Sequence, residues 1–130
     1  LSNRAPGSRF ETGMTTRRSV LGDAHVDRAG ANTTDFDRDF QTLITESAWG
    51  TVWADDTFTK RERSIVTLAL LAALGHHEEL AMHIRATAQT GASEADIKEV
   101  LMHVAIYAGV PAANTAFKIA KETLAGMKAG

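Results

Sequence analysis

Three histidines, two glutamates and an arginine fall within ten residues, His76-His77-Glu78-Glu79-Leu80-Ala81-Met82-His83-Ile84-Arg85. At about 100° per residue, a helix through this stretch projects His76, Glu79 and His83 within a sector of roughly 60°. One face then carries a carboxylate flanked by two imidazoles. Imidazole titrates near neutral pH, and a carboxylate four residues away can orient it or share its proton, so this is the composition of a proton-transfer site. The same residues also suit the solvated face of an amphipathic helix. A metal site fits less well, because the spacing is not H-E-x-x-H and no fourth ligand stands nearby, and none is expected. Arg61, Arg63 and Arg85 are the neighbouring cations, whose guanidinium forks match carboxylates bidentately. Without a substrate in view, an arginine next to Glu62 is more often a surface ion pair than a ligand. Tyr107, the single tyrosine, reads either as a ring packed in the core or as a site hydroxyl. His103, beside an apolar stripe, reads as a structural histidine.

The segments that must position these residues read as helix after helix. Thr34 or Asp35 can cap a first one, striped by Phe36, Phe40, Leu43, Ile44 and Ala48 and ending near Gly50. Trp49 and Trp53 flank that glycine as core or interface anchors. Thr59-Lys60-Arg61-Glu62 matches the S/T-x-x-E capping box and opens the run Ile65 to Leu74, apolar almost all round, which predicts a central helix covered on every side and stopped by Gly75. His76 to Thr90 forms the next helix, closed by Gly91. Ser93 and Asp96 open another, striped by Ile97, Val100, Leu101, Val104 and Ala108, and Pro111 starts the last through Phe117 and Leu124. No strand alternation competes. The expected fold is all-α, about five main helices over residues 34–130 with a loose N-terminal arm over 14–33. Leu1 to Gly13, ahead of Met14, is expected to be an appended or disordered leader. Alanine-rich faces such as Ala112, Ala113, Ala116 and Ala120 predict close helix approach and helices shared between subunits of a homo-oligomer.

Composition narrows the functional classes. A chain of 130 residues is expected to form one domain. With 14 basic and 16 acidic residues, a net charge of −2 and no basic tract, no nucleic-acid or anionic-membrane partner is expected. The absence of cysteine removes disulfides, thiolate metal sites and thiol nucleophiles together. Arg17-Arg18 is not followed by an apolar region, which argues against a twin-arginine export signal, and a cytoplasmic protein is expected.

Several groups of residues then carry a family resemblance. Trp49-Gly50-x-x-Trp53, Lys60-Arg61-x-Arg63-Ser64 leading into Thr67-Leu68-Ala69, Glu79-Leu80-Ala81-x-His83-x-Arg85-Ala86 and Ala105 to Ala113 resemble the 4-carboxymuconolactone decarboxylases. The arm joins them through Arg17-Arg18-x-Val20-Leu21-Gly22-Asp23-x-x-Val26-Asp27-Arg28, so the similarity runs from about residue 17 to 120. Two departures stand out: His76 occupies a position where the family pattern has arginine, and Ala54-Asp55-Asp56 replaces a more basic segment.

The resemblance implies the all-helical fold of the alkylhydroperoxidase D-like proteins, a homo-oligomer of hexameric size, no cofactor, and decarboxylation of a carboxylated lactone in protocatechuate breakdown. It also implies a site in which His83 donates the proton, Glu79 holds or shares it, His76 is the second candidate, and Arg61, Arg63, Arg85 and Tyr107 bind substrate. A thiol peroxidase branch of the same superfamily carries C-x-x-C-x-x-x-H. Counting back from His83, its cysteine positions are His76 and Glu79 here, so that chemistry is excluded by composition. The alternative is a non-catalytic or differently catalytic helical oligomer, in which the polar face is a subunit contact.

Overall fold

The computed structural model describes residues 7–130, all of whose regular elements are helical. Seven α-helices and one π-helical segment follow one another: α1 Arg9–Leu21, α2 Asp23–Asn32, α3 Arg38–Ile44, the π-helix Thr45–Val52, α4 Lys60–Leu74, α5 His77–Thr90, α6 Glu94–Tyr107 and α7 Val110–Ala129. They form two compact units, one ending at Thr59 and one running from Lys60 to Gly130.

The first unit departs most from the sequence reading. The segment expected to be a loose arm is two helices, and the part of the expected leader from Arg9 to Gly13 lies inside α1; residues 1–6 of that leader lie outside the described residues. Ser8 starts α1 by accepting the Glu11 backbone N–H at 3.1 Å. Gly22, at φ +88°, breaks the chain between α1 and α2, and Arg18 bridges the break to Asp23 at 3.1 Å and Asp27 at 2.9 Å. Val20, Leu21 and Val26 are buried. What fixes α1 against the π-helix is the absence of side chains. A Cβ on Gly13 would collide with the Thr45 carbonyl, and a Cβ on Gly50 with the Arg9 carbonyl, so each glycine admits the other helix's backbone. Gly50 therefore sits within a helix that continues to Val52 and does not end it.

The expected cap at Thr34 or Asp35 is also displaced. Thr34 to Asp37 is a turn in which the Asp37 carboxylate accepts the Thr34 N–H at 2.8 Å, and α3 begins at Arg38. The stripe of Phe36, Phe40 and Leu43 has helical period but faces outward in this chain, with Phe36 99% exposed. Trp49 and Trp53 are buried with ring centroids 5.3 Å apart, as their size predicts.

The second unit follows the sequence more closely. Leu68 and Ala72 of α4, Leu80 and Ile84 of α5, Ile97, Val100, Leu101 and Val104 of α6, and Ala113, Ala116 and Ala120 of α7 form one core. The alanines of α7 let it approach its neighbours closely. Gly75 at φ +76°, Gly91 at φ +87° and Gly109 at φ +107° punctuate the helices, and Pro111 lies in the first turn of α7. The α4 expectation needs correction. Ser64, Leu68 and Ala72 bury one face, while Val66, Leu70 and Leu74, on the opposite face, are exposed. A helix apolar all round is thus covered by this chain on one side only.

Replacing Gly13 with alanine should destabilise the protein by about 1–3 kcal/mol, because the methyl group would have to push a helix backbone aside. Urea unfolding of Gly13→Ala at the wild-type midpoint would contradict the close crossing.

Candidate active site

The phase of α5 decides how the acid and base residues are presented. Leu80 and Ile84 are both 0% exposed, and they turn the helix so that His83, one residue before Ile84, is drawn in with them to 7% exposure. Its Nδ1 is out of contact with solvent. Glu79, one helical turn before His83 on the same side, stays exposed in the first turn of α5. His76 is not part of the helix. It is the N-cap, at φ −84° and ψ 79°; its N–H donates to the Leu71 carbonyl at 3.0 Å and its carbonyl accepts the Leu80 N–H at 2.9 Å. The expected sector of three therefore reduces to a helical pair, Glu79 and His83, with an exposed His76 at the mouth. Among the described residues, no three His, Asp or Glu side chains are grouped so as to hold a metal ion.

The cations are spread out. Arg61 gives both arms of its guanidinium to Asp96, Nε to Oδ2 at 2.8 Å and Nη2 to Oδ1 at 2.6 Å. The same carboxylate closes the α6 capping box, accepting the Ser93 N–H at 2.9 Å while the Ser93 hydroxyl accepts the Asp96 N–H at 3.0 Å. The Arg61 side chain bonded to it, and then the Ser93 backbone N–H, hold the Asp96 carboxyl at about 2. Arg63 is half-buried on α4. Arg85 lies about 200° around α5 from His83, where with Glu122, Thr123 and Met127 it lines a separate open cavity of about 450 Å³. Tyr107 is not packed in the core: it is 80% exposed, its ring stacked on the exposed His103 at 4.7 Å. His103 is accordingly a surface histidine and not a core one. Both rings lie at the exposed end of α6, beside Ile106, which the stripe Ile97, Val100, Leu101 and Val104 turns outward.

Sequence reasoning missed the buried hydroxyl pair beneath this region. Ser64 Oγ donates to Thr90 Oγ1 at 2.7 Å, tying the polar start of α4 to the end of α5. Both residue types were in view; their separation of 26 positions was the obstacle.

Residues 38–122 match the model of the carboxymuconolactone decarboxylase family. The chain belongs to that family. It is 43% identical over 114 residues to the 4-carboxymuconolactone decarboxylase of Acinetobacter baylyi, covering 88% of this chain and 85% of that protein. It is 37% identical over 118 residues to the nitrosuccinic acid decarboxylase of Metarhizium robertsii, covering 91% and 82%. A 42-residue stretch is 52% identical to a 4-carboxymuconolactone decarboxylase of Pseudomonas putida, covering 32% of this chain and 88% of that sequence. The family match takes in both Glu79 and His83, and all three arginines considered above.

The Asp96 carboxyl yields a pH prediction. Its folded-state pKa lies below the ordinary 3.8, so the stabilisation it brings is complete above about pH 4 and is lost as pH falls toward 2. Asp96→Asn should remove that part of the acid transition while also lowering stability at neutral pH. An unchanged stability-against-pH curve between pH 4 and 2 would show that the Arg61 clamp contributes nothing.

Proposed function

We propose that the protein is a cofactor-free carboxy-lyase that converts 4-carboxymuconolactone to the β-ketoadipate enol-lactone, a step in protocatechuate catabolism. The observation that carries this reading is the 43% identity to a 4-carboxymuconolactone decarboxylase across 88% of the chain. The lack of cysteine supports acid–base over thiol chemistry on what we take to be an alkylhydroperoxidase D-like scaffold.

The reaction supplies its own electron sink. The γ-carbon of the unsaturated lactone bears a carboxylate and an acetate arm. When the carbon–carboxylate bond breaks, its electron pair moves through the ring double bond onto the lactone carbonyl and CO₂ leaves. The resulting furan-like dienolate takes a proton at the carbon α to that carbonyl. The enzyme must hold the acetate arm, stabilise the lactone oxygen as charge develops, and deliver the proton. Nitrosuccinic acid, in the name of the second relative, has the same skeleton at its reacting carbon: a carboxylate, an acetate arm and an acceptor, here a nitro group that can take the electron pair as a nitronate. The substrate class we assign is therefore a diacid whose departing carboxylate and acetate arm share a carbon conjugated to an acceptor. Nitrosuccinate is the second substrate to test.

In this reading His83 donates the proton and Glu79 orients it or shares the proton, with His76 as the alternative donor at the mouth. Arg63, half-buried on α4, is the cation we favour for the acetate arm; Asp96 holds Arg61, and Arg85 lies on the other side of α5. Tyr107 and Arg85 keep a substrate role only if another subunit brings their surroundings to a site. The protein is proposed to act in the cytoplasm as a homo-oligomer of hexameric size. The exposed Val66, Leu70 and Leu74 on α4 and Met102, Ile106 and Val110 near the α6–α7 turn support self-association.

Incubation with 4-carboxymuconolactone should release CO₂; a folded oligomer that releases none from it or from nitrosuccinate would instead favour a non-catalytic role. His83→Ala should lower kcat by on the order of 10² to 10⁴ with little change in KM, as expected for an acid felt in the transition state. Near-normal turnover in a folded variant would move the proton to His76. In sedimentation, the 14.0 kDa chain should run as a multimer at micromolar concentration, and a monomer there would remove the proposed assembly.

A further inference from the structure

Within the first unit, α1 presents Phe10, Met14 and Arg17, spaced by four and three residues, to a cavity of about 270 Å³ that α2 and the start of α3 close. Val26 and Gln41 lie across it from α1. Arg17 is 9% exposed. Its Nη2 reaches Gln41 Oε1 at a long 3.4 Å, its Nε is buried without a hydrogen-bond partner, and among the described residues no carboxylate pairs with it. The adjacent arginines differ. Arg18 is held by Asp23 and Asp27, and Arg38, which also lines the cavity, is held by Asp35.

An uncompensated guanidinium here is costly. Burial pushes the Arg17 pKa down, yet a guanidinium does not give up its proton at working pH. A buried charge persists where a counter-charge and hydrogen bonds compensate it. The cavity offers room for that counter-charge beside the guanidinium, and alongside the polar Thr33, Gln41, Thr42 and Thr45 it has apolar walls in Phe10, Met14 and Val26. A bare inorganic anion would leave those walls facing water. We propose that this cavity binds a small organic carboxylate, its charged end on the Arg17 guanidinium and its carbon body against Phe10, Met14 and Val26. None of these residues belongs to α4–α7, so the site stands whether or not the decarboxylase reading does.

Butyrate is a suitable probe, with butyramide and inorganic phosphate as controls at the same ionic strength. In ¹⁵N-labelled full-length protein, one arginine Nε–H resonance should shift saturably with butyrate and neither control should move it. That resonance should be missing from Arg17→Met, and butyrate affinity should fall by about tenfold or more, as expected for loss of a charge-assisted contact. Gly30 lines the cavity and an added Cβ there meets nothing within 4 Å, so Gly30→Phe can fill the space while retaining Arg17. It should keep the resonance and lose the butyrate shift, which decides the matter even if Arg17→Met fails to fold. The proposal is overturned if no arginine signal responds, if phosphate or butyramide shifts it as butyrate does, or if the shift survives Gly30→Phe.

Discussion

The arrangement of the second unit depends on the rotation of α5 about its own axis. Leu80 and Ile84 are wholly enclosed, and burying two such side chains is worth roughly 3–6 kcal/mol relative to leaving them in water, far more than any surface pair nearby contributes. Once that face is committed, its neighbours have no freedom of placement. His83 goes inward, Glu79 remains at the rim one turn earlier, and Arg85 is carried to the far side. Gly75 and Gly91 bound the helix, and the Ser64–Thr90 hydroxyl bond pins its end to α4. Placing an ionisable ring next to the most strongly buried residues gives it a fixed position, which is what a proton donor to carbon requires.

The first unit reaches order by other means. It has few large buried aliphatic side chains, and α1 itself is rich in threonine, arginine and glycine. Its close contact is backbone against backbone, Gly13 on the Thr45 carbonyl and Gly50 on the Arg9 carbonyl. The π-helical winding runs through that contact: the Trp53 N–H donates to the Ala48 carbonyl five residues back at 2.8 Å. Extra residues per turn place Gly50 and Thr45 toward α1 together, and Arg9 adds a bond from Nη2 to the Glu46 carbonyl at 3.2 Å.

How much could be seen in the sequence follows from these two modes of packing. Signals confined to a few neighbouring residues were legible: the Ser93–Asp96 box, the glycine stops, the proline start of α7 and the Glu79–His83 pair. Helices α1 and α2 were not, because glycine contacts leave no apolar period to count. The Phe36, Phe40 and Leu43 stripe had the right period and the wrong implication, since periodicity reports an apolar face without saying which chain covers it. Arg61 does form an ion pair, but the carboxylate it hydrogen-bonds is not that of the neighbouring Glu62. Asp96, 35 residues away, holds it, and no local pattern encodes that separation.

That engagement bears on the proposed catalysis through the difference between binding and acceleration. Three free guanidinium groups around a dianion would hold both of its carboxylates tightly, and stabilising the departing one in the ground state raises the barrier to losing it as CO₂. Asp96 neutralises Arg61 and Arg85 is turned away on α5, and the proposed reaction assigns one carboxylate to the half-buried Arg63. One anchor suits the acetate arm, which keeps its charge throughout. In the proposed reaction the departing carboxylate would face a less favourable field, and His83, held in place by the burial of its neighbours, would act where negative charge accumulates.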